Sequence, residues 1–214
     1  VGVPAAPPAP SVQLTFDNNY TDAKGVWTIS VTGTPVYSPC SKLGVACLDL
    51  TANTVGSAPT TYVSSTVSVA LPVTIAGWFN ANSTSSSPQT IVSIGSAATV
   101  SVSLQITNTT AIFTVDTATA TVPYTFVPGM WYHFAVVINA SSYAALYING
   151  VILGTCNPNE ASLVNNGVIR LASASLATQT TAFKGFLDDI CIWTGQALNS
   201  PYIAGLYASY NTVQ

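Results

Sequence analysis

Between Ser11 and Trp193 no long stretch keeps apolar residues at helical spacing; short runs rich in Val, Ile, Thr and aromatic residues recur, each cut by Gly, Pro, Asn or Ser. β-Branched and aromatic side chains fit a pleated, half-buried surface, and the breakers mark turns, so the pattern reads as a series of short strands. The runs lie at 12–16, 26–32, 46–51, 61–70, 73–80, 89–95, 99–107, 110–116, 132–139, 142–148, 167–172 and 186–194. Asn149-Gly150 accepts the positive φ of a two-residue hairpin turn, and Asn166-Gly167 repeats that signal more weakly. One short C-terminal helix is expected: Asn199 and Ser200 offer a cap, Pro201 suits a first turn, and Ile203, Leu206 and Tyr207 share one face. Many strands with one terminal helix predict an all-β, two-sheet antiparallel sandwich of the jelly-roll type. Residues 1–10 (VGVPAAPPAP) read as an extended linker to the remainder of a larger parent protein, and 11–214 as a single domain.

Only 5% of the residues are charged while 49% are hydrophobic. Soluble proteins average about a quarter charged residues, so solubility here rests on Ser, Thr, Asn and backbone amides. The most apolar window, 67–79, is broken by Ser68, Pro72 and Thr74, and a membrane span needs about 18 apolar residues. No basic segment leads into an apolar one at the start, so the chain reads as a mature piece or an excised domain. Lys24, Lys42, Arg170 and Lys184 are the only basic side chains, too few for the cationic footprint of a nucleic-acid binder. With a net charge of −3, the surface suits uncharged partners such as neutral sugars, or close packing among many copies.

Cys40, Cys47, Cys156 and Cys191 allow three pairings. The Cys40–Cys47 spacing suits a bridge across a short loop, which leaves Cys156 with Cys191. A zinc site is the rival reading, but there is no C-x-x-C pair and His133 is the only histidine. Sequons at Asn19, Asn82, Asn108 and Asn139, together with an even cysteine count, fit an extracellular, secreted or virion-surface protein.

Several segments, in order, carry a resemblance. Leu14-Thr15-Phe16-Asp17, Asp22 and Gly25 precede Lys42-Leu43-Gly44 and Cys47-Leu48-Asp49-Leu50; next comes Val73-Thr74-Ile75-Ala76-Gly77-Trp78-Phe79. Gly129-Met130-Trp131-Tyr132-His133-Phe134-Ala135 then leads to Leu146-Tyr147-Ile148-Asn149-Gly150. Last is Gly185-Phe186-Leu187-Asp188-Asp189-Ile190-Cys191-Ile192-Trp193 with Ala197-Leu198-Asn199-Ser200. Together they resemble the laminin-G-like domains of the concanavalin A-like lectin/glucanase superfamily, over nearly all of the chain after residue 10. The resemblance implies a concanavalin A-like jelly roll, with Trp78 and Trp131 as core residues and His133 as strand framework. Cys191 stands where the motif often has Arg, which suggests a local disulfide at that position. Because the superfamily includes lectins, adhesion modules, hydrolases and lyases, the fold does not by itself fix a function.

A retaining glycosidase needs two carboxylates flanking the scissile bond, but Glu160 is the only Glu and the Glu-x-Asp-x-Glu strand of such enzymes is missing. Asp188 and Asp189, adjacent on one strand, are expected to point to opposite faces. Arg170 and Lys184 do not reproduce the basic strands of jelly-roll lyases. The resemblance does imply a possible calcium site of hard oxygen ligands, with Asp188 as its centre and Asp17 and Asp22 as helpers. Aromatic rings are the usual sugar platforms, and Tyr20, Trp27 and Tyr124 are the candidates, with Tyr37 and Tyr132 behind them. These features point first to a carbohydrate-binding or adhesion module for cell-surface or cell-wall glycans. A divergent cell-wall polysaccharide hydrolase or lyase comes second, and a structural particle-surface domain third.

Overall fold

The computed structural model describes residues 6–65, 69, 71–95, 100–139, 143–157, 167–174 and 180–211. Fifteen strands and one helix follow in order: β1 (Val12–Leu14), β2 (Ile29–Thr32), β3 (Val36–Ser38), β4 (Cys47–Asp49), β5 (Tyr62–Ser65), β6 (Val73–Ala81), β7 (Gln89–Gly95), β8 (Val100–Ile106), β9 (Thr110–Val115), β10 (Ala118–Pro123), β11 (Trp131–Ile138), β12 (Ala144–Ile148), β13 (Val151–Cys156), β14 (Val168–Leu171), β15 (Gly185–Thr194) and α1 (Ser200–Asn211). All pairings are antiparallel. One sheet runs β13-β12-β11-β6-β15-β4-β3, with β1 on the free part of the β15 edge; the other runs β10-β9-β8-β7-β14-β5-β2.

Side chains that alternate inward from both sheets fill one core. From the first sheet come Val73, Ile75 and Phe79, then Phe134, Val136 and Ile138, and Leu187, Ile190 and Ile192; the second contributes Ile91, Leu104, Phe113 and Ile169. The opposite, outer face of the first sheet is also partly covered. Ile203 and Leu206 of α1, with Leu198, pack on Ala76, Ala135, Val137, Ala145, Tyr147, Cys191 and Trp193. Strands β6, β11 and β15 therefore have covered residues on both faces, which is why their sequences read as nearly continuous apolar runs.

The helix starts as expected, with Asn199 Oδ1 accepting from the Tyr202 amide at 3.1 Å. Asn149 and Gly150 both take positive φ, 50° and 78°, and join β12 to β13. Strands β3, β10 and β13 are additions to the sequence reading. Where segment 1–10 is described, it touches the sandwich: the Trp193 indole donates to the Pro8 carbonyl at 2.7 Å. Asn166 and Glu160 lie outside the described residues.

Cys40 and Cys47 are bonded, with Cα atoms 6.0 Å apart. The expected Cys156–Cys191 bridge is corrected: both are buried thiols. Cys156 ends β13 in the core between the sheets, whereas Cys191 faces α1 on the outer side. Three strands separate β13 from β15, which at about 4.8 Å per strand puts the two cysteines far beyond the ~7 Å Cα limit for a bridge.

Candidate functional site

The outer face of the eight-stranded sheet holds an open cleft of about 400 Å³ beside α1. Gln13, Thr15 and Asp17 line one wall, Leu43 and Gly44 another, and Asp189 and Ser209 close it. Alternation starts the first wall: Val12 and Leu14 face the core, so Gln13 turns outward; beyond β1, where Phe16 takes φ 56°, Thr15 and Asp17 complete it. Asp189 arrives through a β-bulge. Asp188 pairs with Trp78 and Cys191 with Ala76, so β15 carries one extra residue there, and Asp189 takes φ 44°. The bulge puts both aspartates to work on the outer side, correcting the expectation of opposite faces; Asp189 Oδ1 accepts from Gln13 Nε2 at 2.9 Å.

Two carboxylates pin the disulfide-closed loop that forms the second wall. Asp188 Oδ2 accepts from the Lys42 and Leu43 amides at 2.7 and 2.8 Å, and Asp17 Oδ1 from the Val45 and Ala46 amides at 2.7 and 3.1 Å. Gly44 sits between these anchors at φ 66°, so close to the Asp17 carboxylate that a Cβ there would overlap it.

Asp22 performs a similar task elsewhere. One of its oxygens accepts from the Gln13 and Lys24 amides and the other from Val26 and Trp27, at 2.8–3.0 Å. Burial works to raise its pKa, but these four amides outweigh it and hold Asp22 below the usual carboxylate range. The three carboxylates of the calcium expectation, Asp17, Asp22 and Asp188, are each engaged by backbone amides, while Asp188 Oδ1 has no hydrogen-bond partner. The four acceptor positions of Asp22 are filled by amides, and no group of three or more His, Cys, Asp or Glu side chains occurs among the described residues.

Next to the cleft runs a buried row. His133, Trp78 and Asp188 are register neighbours on β11, β6 and β15. The His133 and Trp78 rings meet edge-on at 5.2 Å, Tyr207 of α1 packs on both, and Lys42 Nζ lies 4.8 Å from the centre of the Trp78 ring. Burial drives the His133 imidazole down to about 3. Burial, with the neighbouring Asp189 charge, also pushes Asp188 up to about 7, against the Leu43, Lys42 and Asp189 amides that pull it down. With exposures of 1% and 0%, both side chains are covered within the sheet.

The aromatic candidates do not converge on one surface. Trp27 is a core residue beside Leu14, Ile29 and Val63, which corrects its assignment as a sugar contact. Tyr124 is half-buried and packs on Phe126 at 4.6 Å. Tyr20 is exposed, on the loop that follows Asp17. Tyr132 is buried with its hydroxyl on the Val127 amide, and Tyr37 is half-buried against the core. Trp131, expected in the core, instead lies half-buried on the outer face. Gln13, Thr15 and Ser209 were not singled out by sequence, and Asp189 was weighed only as the neighbour of Asp188 on one strand.

The family model Laminin_G_3, of the concanavalin A-like lectin/glucanases superfamily, matches residues 55–204, well over half of the chain. The chain belongs to this family. No curated protein sequence matches the laminin-G-like domain. Among solved structures, it resembles domain 4 of AbnA, a GH43 extracellular arabinanase from Geobacillus stearothermophilus, in complex with arabinotriose. That match has 17% identity and a TM-score of 0.71 over 93% of this chain and 98% of the other. It also resembles botulinum neurotoxin structures: type C, whose cell entry is described as dependent upon interaction with two ganglioside molecules, and the binding domain of type DC in complex with SialylT. Both are 16% identical with TM-scores of 0.71, and the chain spans about half of their length. At these identities the likeness establishes a shared fold.

Proposed function

We propose that this laminin-G-like domain is a carbohydrate-recognition module, binding neutral cell-surface or cell-wall glycans through the cleft beside α1. The observation that carries the reading is the lining of that cleft. Gln13, Thr15, Asp17, Asp189 and Ser209 offer amide, hydroxyl and carboxylate groups at the mouth of an open depression of about 400 Å³, the mix that reads sugar hydroxyls. Support also comes from the family and from a neighbour of nearly the same length, the arabinanase domain, whose complex contains arabinotriose. The context we propose is extracellular, secreted or virion-surface, in keeping with the Cys40–Cys47 disulfide; among the described residues no helix is long and apolar enough to cross a membrane.

Calorimetric titration of neutral oligosaccharides, arabinotriose included, tests the reading, with Thr15→Val and Asp189→Asn as cleft variants. Saturable binding that both variants weaken is expected. Binding unaffected by either variant removes the cleft from consideration. Release of new reducing or unsaturated ends from polysaccharide replaces the reading with a catalytic one.

A further inference from the structure

We propose that Trp131 and Phe186, with Asn80 between them, form a second sugar-binding platform on the outer face of the eight-stranded sheet, separate from the cleft. This rests on the glycan-binding reading and adds a subsite to it. The three residues form one register row: Trp131 pairs with Asn80 across β11 and β6, and Asn80 with Phe186 across β6 and β15. In-register neighbours on antiparallel strands project from the same face. The row therefore sets two aromatic side chains on alternate strands, roughly 10 Å apart at the strand spacing, with an amide between them. Both aromatics are half-buried, so each is held in place and still partly uncovered.

Asn80 supplies the polar part. It is 8% exposed, its Nδ2 donates to the Gly129 carbonyl at 3.0 Å, and its Oδ1 is a buried acceptor with no hydrogen-bond donor. Such an atom costs about 1–3 kcal/mol while unsatisfied; its own surface is covered, so a sugar hydroxyl supplies the donor once the amide turns outward on binding. Charge is scarce along the row. Asp49, which extends it onto β4, is occupied by the Ser38 hydroxyl and by the amide and hydroxyl of Thr51. Rings divided by an amide in a row of low charge fit the flat apolar face and polar rim of a neutral sugar. A protein interface favours a continuous apolar patch at its centre; here Asn80 interrupts it.

Trp131 is the only tryptophan that is not buried, since Trp27, Trp78 and Trp193 are 9%, 1% and 1% exposed. Its emission therefore reports on this platform. The test is a neutral oligosaccharide array followed by titration of the strongest binder, arabinotriose included, against wild type, W131A, W131F, F186A and the cleft variant Thr15→Val. Expected are a shift of tryptophan emission on saturation and a loss of about tenfold in affinity for W131A and F186A. W131F should bind more tightly than W131A, and melting temperatures should stay close to wild type. Wild-type affinity in W131A, with Thr15→Val still weakened, overturns the platform and leaves the cleft standing. No binding by wild type anywhere on the array overturns both. A dimer that W131A dissolves, with glycan binding intact, overturns the platform in favour of a contact between copies.

Discussion

Asp188 and His133 flank Trp78 on neighbouring strands, in one register row, and burial shifts them in opposite directions. The histidine, lowered from 6.5 to about 3, leaves the folded chain without a proton that the unfolded chain takes up below pH 6.5. Its contribution is therefore lost as pH falls from 6.5 towards 3. The aspartate, raised from 3.8 to about 7, keeps a proton that the unfolded chain releases above 3.8. Its contribution is lost as pH rises from 3.8 to 7. Between about pH 4 and 6.5 the two slopes, each about 1.4 kcal/mol per pH unit at full effect, oppose one another. Wild-type stability by urea denaturation should be nearly level there. Asp188→Asn should gain stability towards pH 6.5, and His133→Gln should lose it. A level profile in both variants would contradict the paired shifts.

The cysteine assignment has a direct chemical readout. Thiol titration of the unreduced, denatured protein should give two thiols, from Cys156 and Cys191, and four after reduction. Replacing Cys40 and Cys47 together by Ser should cost about 2–3 kcal/mol, the loop-closure contribution of a bridge of this span.

Gly44 and Gly25 offer a controlled comparison. Both have φ near 66°, but a Cβ at Gly25 meets nothing within 4 Å, while one at Gly44 overlaps the Asp17 carboxylate. Gly25→Ala should cost about 1 kcal/mol, for the left-handed backbone alone. Gly44→Ala should cost clearly more, because Asp17 must release Val45 and Ala46. Equal losses in thermal denaturation would mean that the Asp17 anchor has little weight.

Asp22 gathers four amides into one loop. Asp22→Ala should destabilise by roughly 2–4 kcal/mol, since buried donors lose an ionised acceptor. EDTA should leave the wild-type melting temperature unchanged; a drop that added calcium restores would show that these carboxylates bind metal.

The elements legible in the sequence were those whose signals are local. Asn149-Gly150 and Asn199-Ser200-Pro201 name a turn and a cap through their own backbone preferences, and the apolar runs of β6, β11 and β15 stand out because both faces contain covered residues. Strand β10, Ala-Thr-Ala-Thr-Val-Pro, presents too little apolar contrast, β13 has Gly154 in its middle, and β3 is three residues long. The site was harder to see because its chemistry depends on a bulge. Asp188 and Asp189 obey strand alternation on paper, and only the extra residue in β15 turns both to the outer face. Equally, Asp17, Asp22 and Asp188 have the composition of a cation site, and only the folded chain shows that backbone amides reach all three. Trp131 and Trp78 read alike in sequence; α1 and Lys42 cover one and leave the other half-open.

Of the seven acidic side chains, Asp17, Asp22, Asp49 and Asp188 direct oxygens at backbone amides within 3.1 Å. Mobile ions screen separated surface charges over a Debye length of about 10 Å at 0.1 M salt, but do not enter such short contacts. The loops fastened this way should hold their shape from dilute buffer to brine, with a melting temperature that changes little with ionic strength.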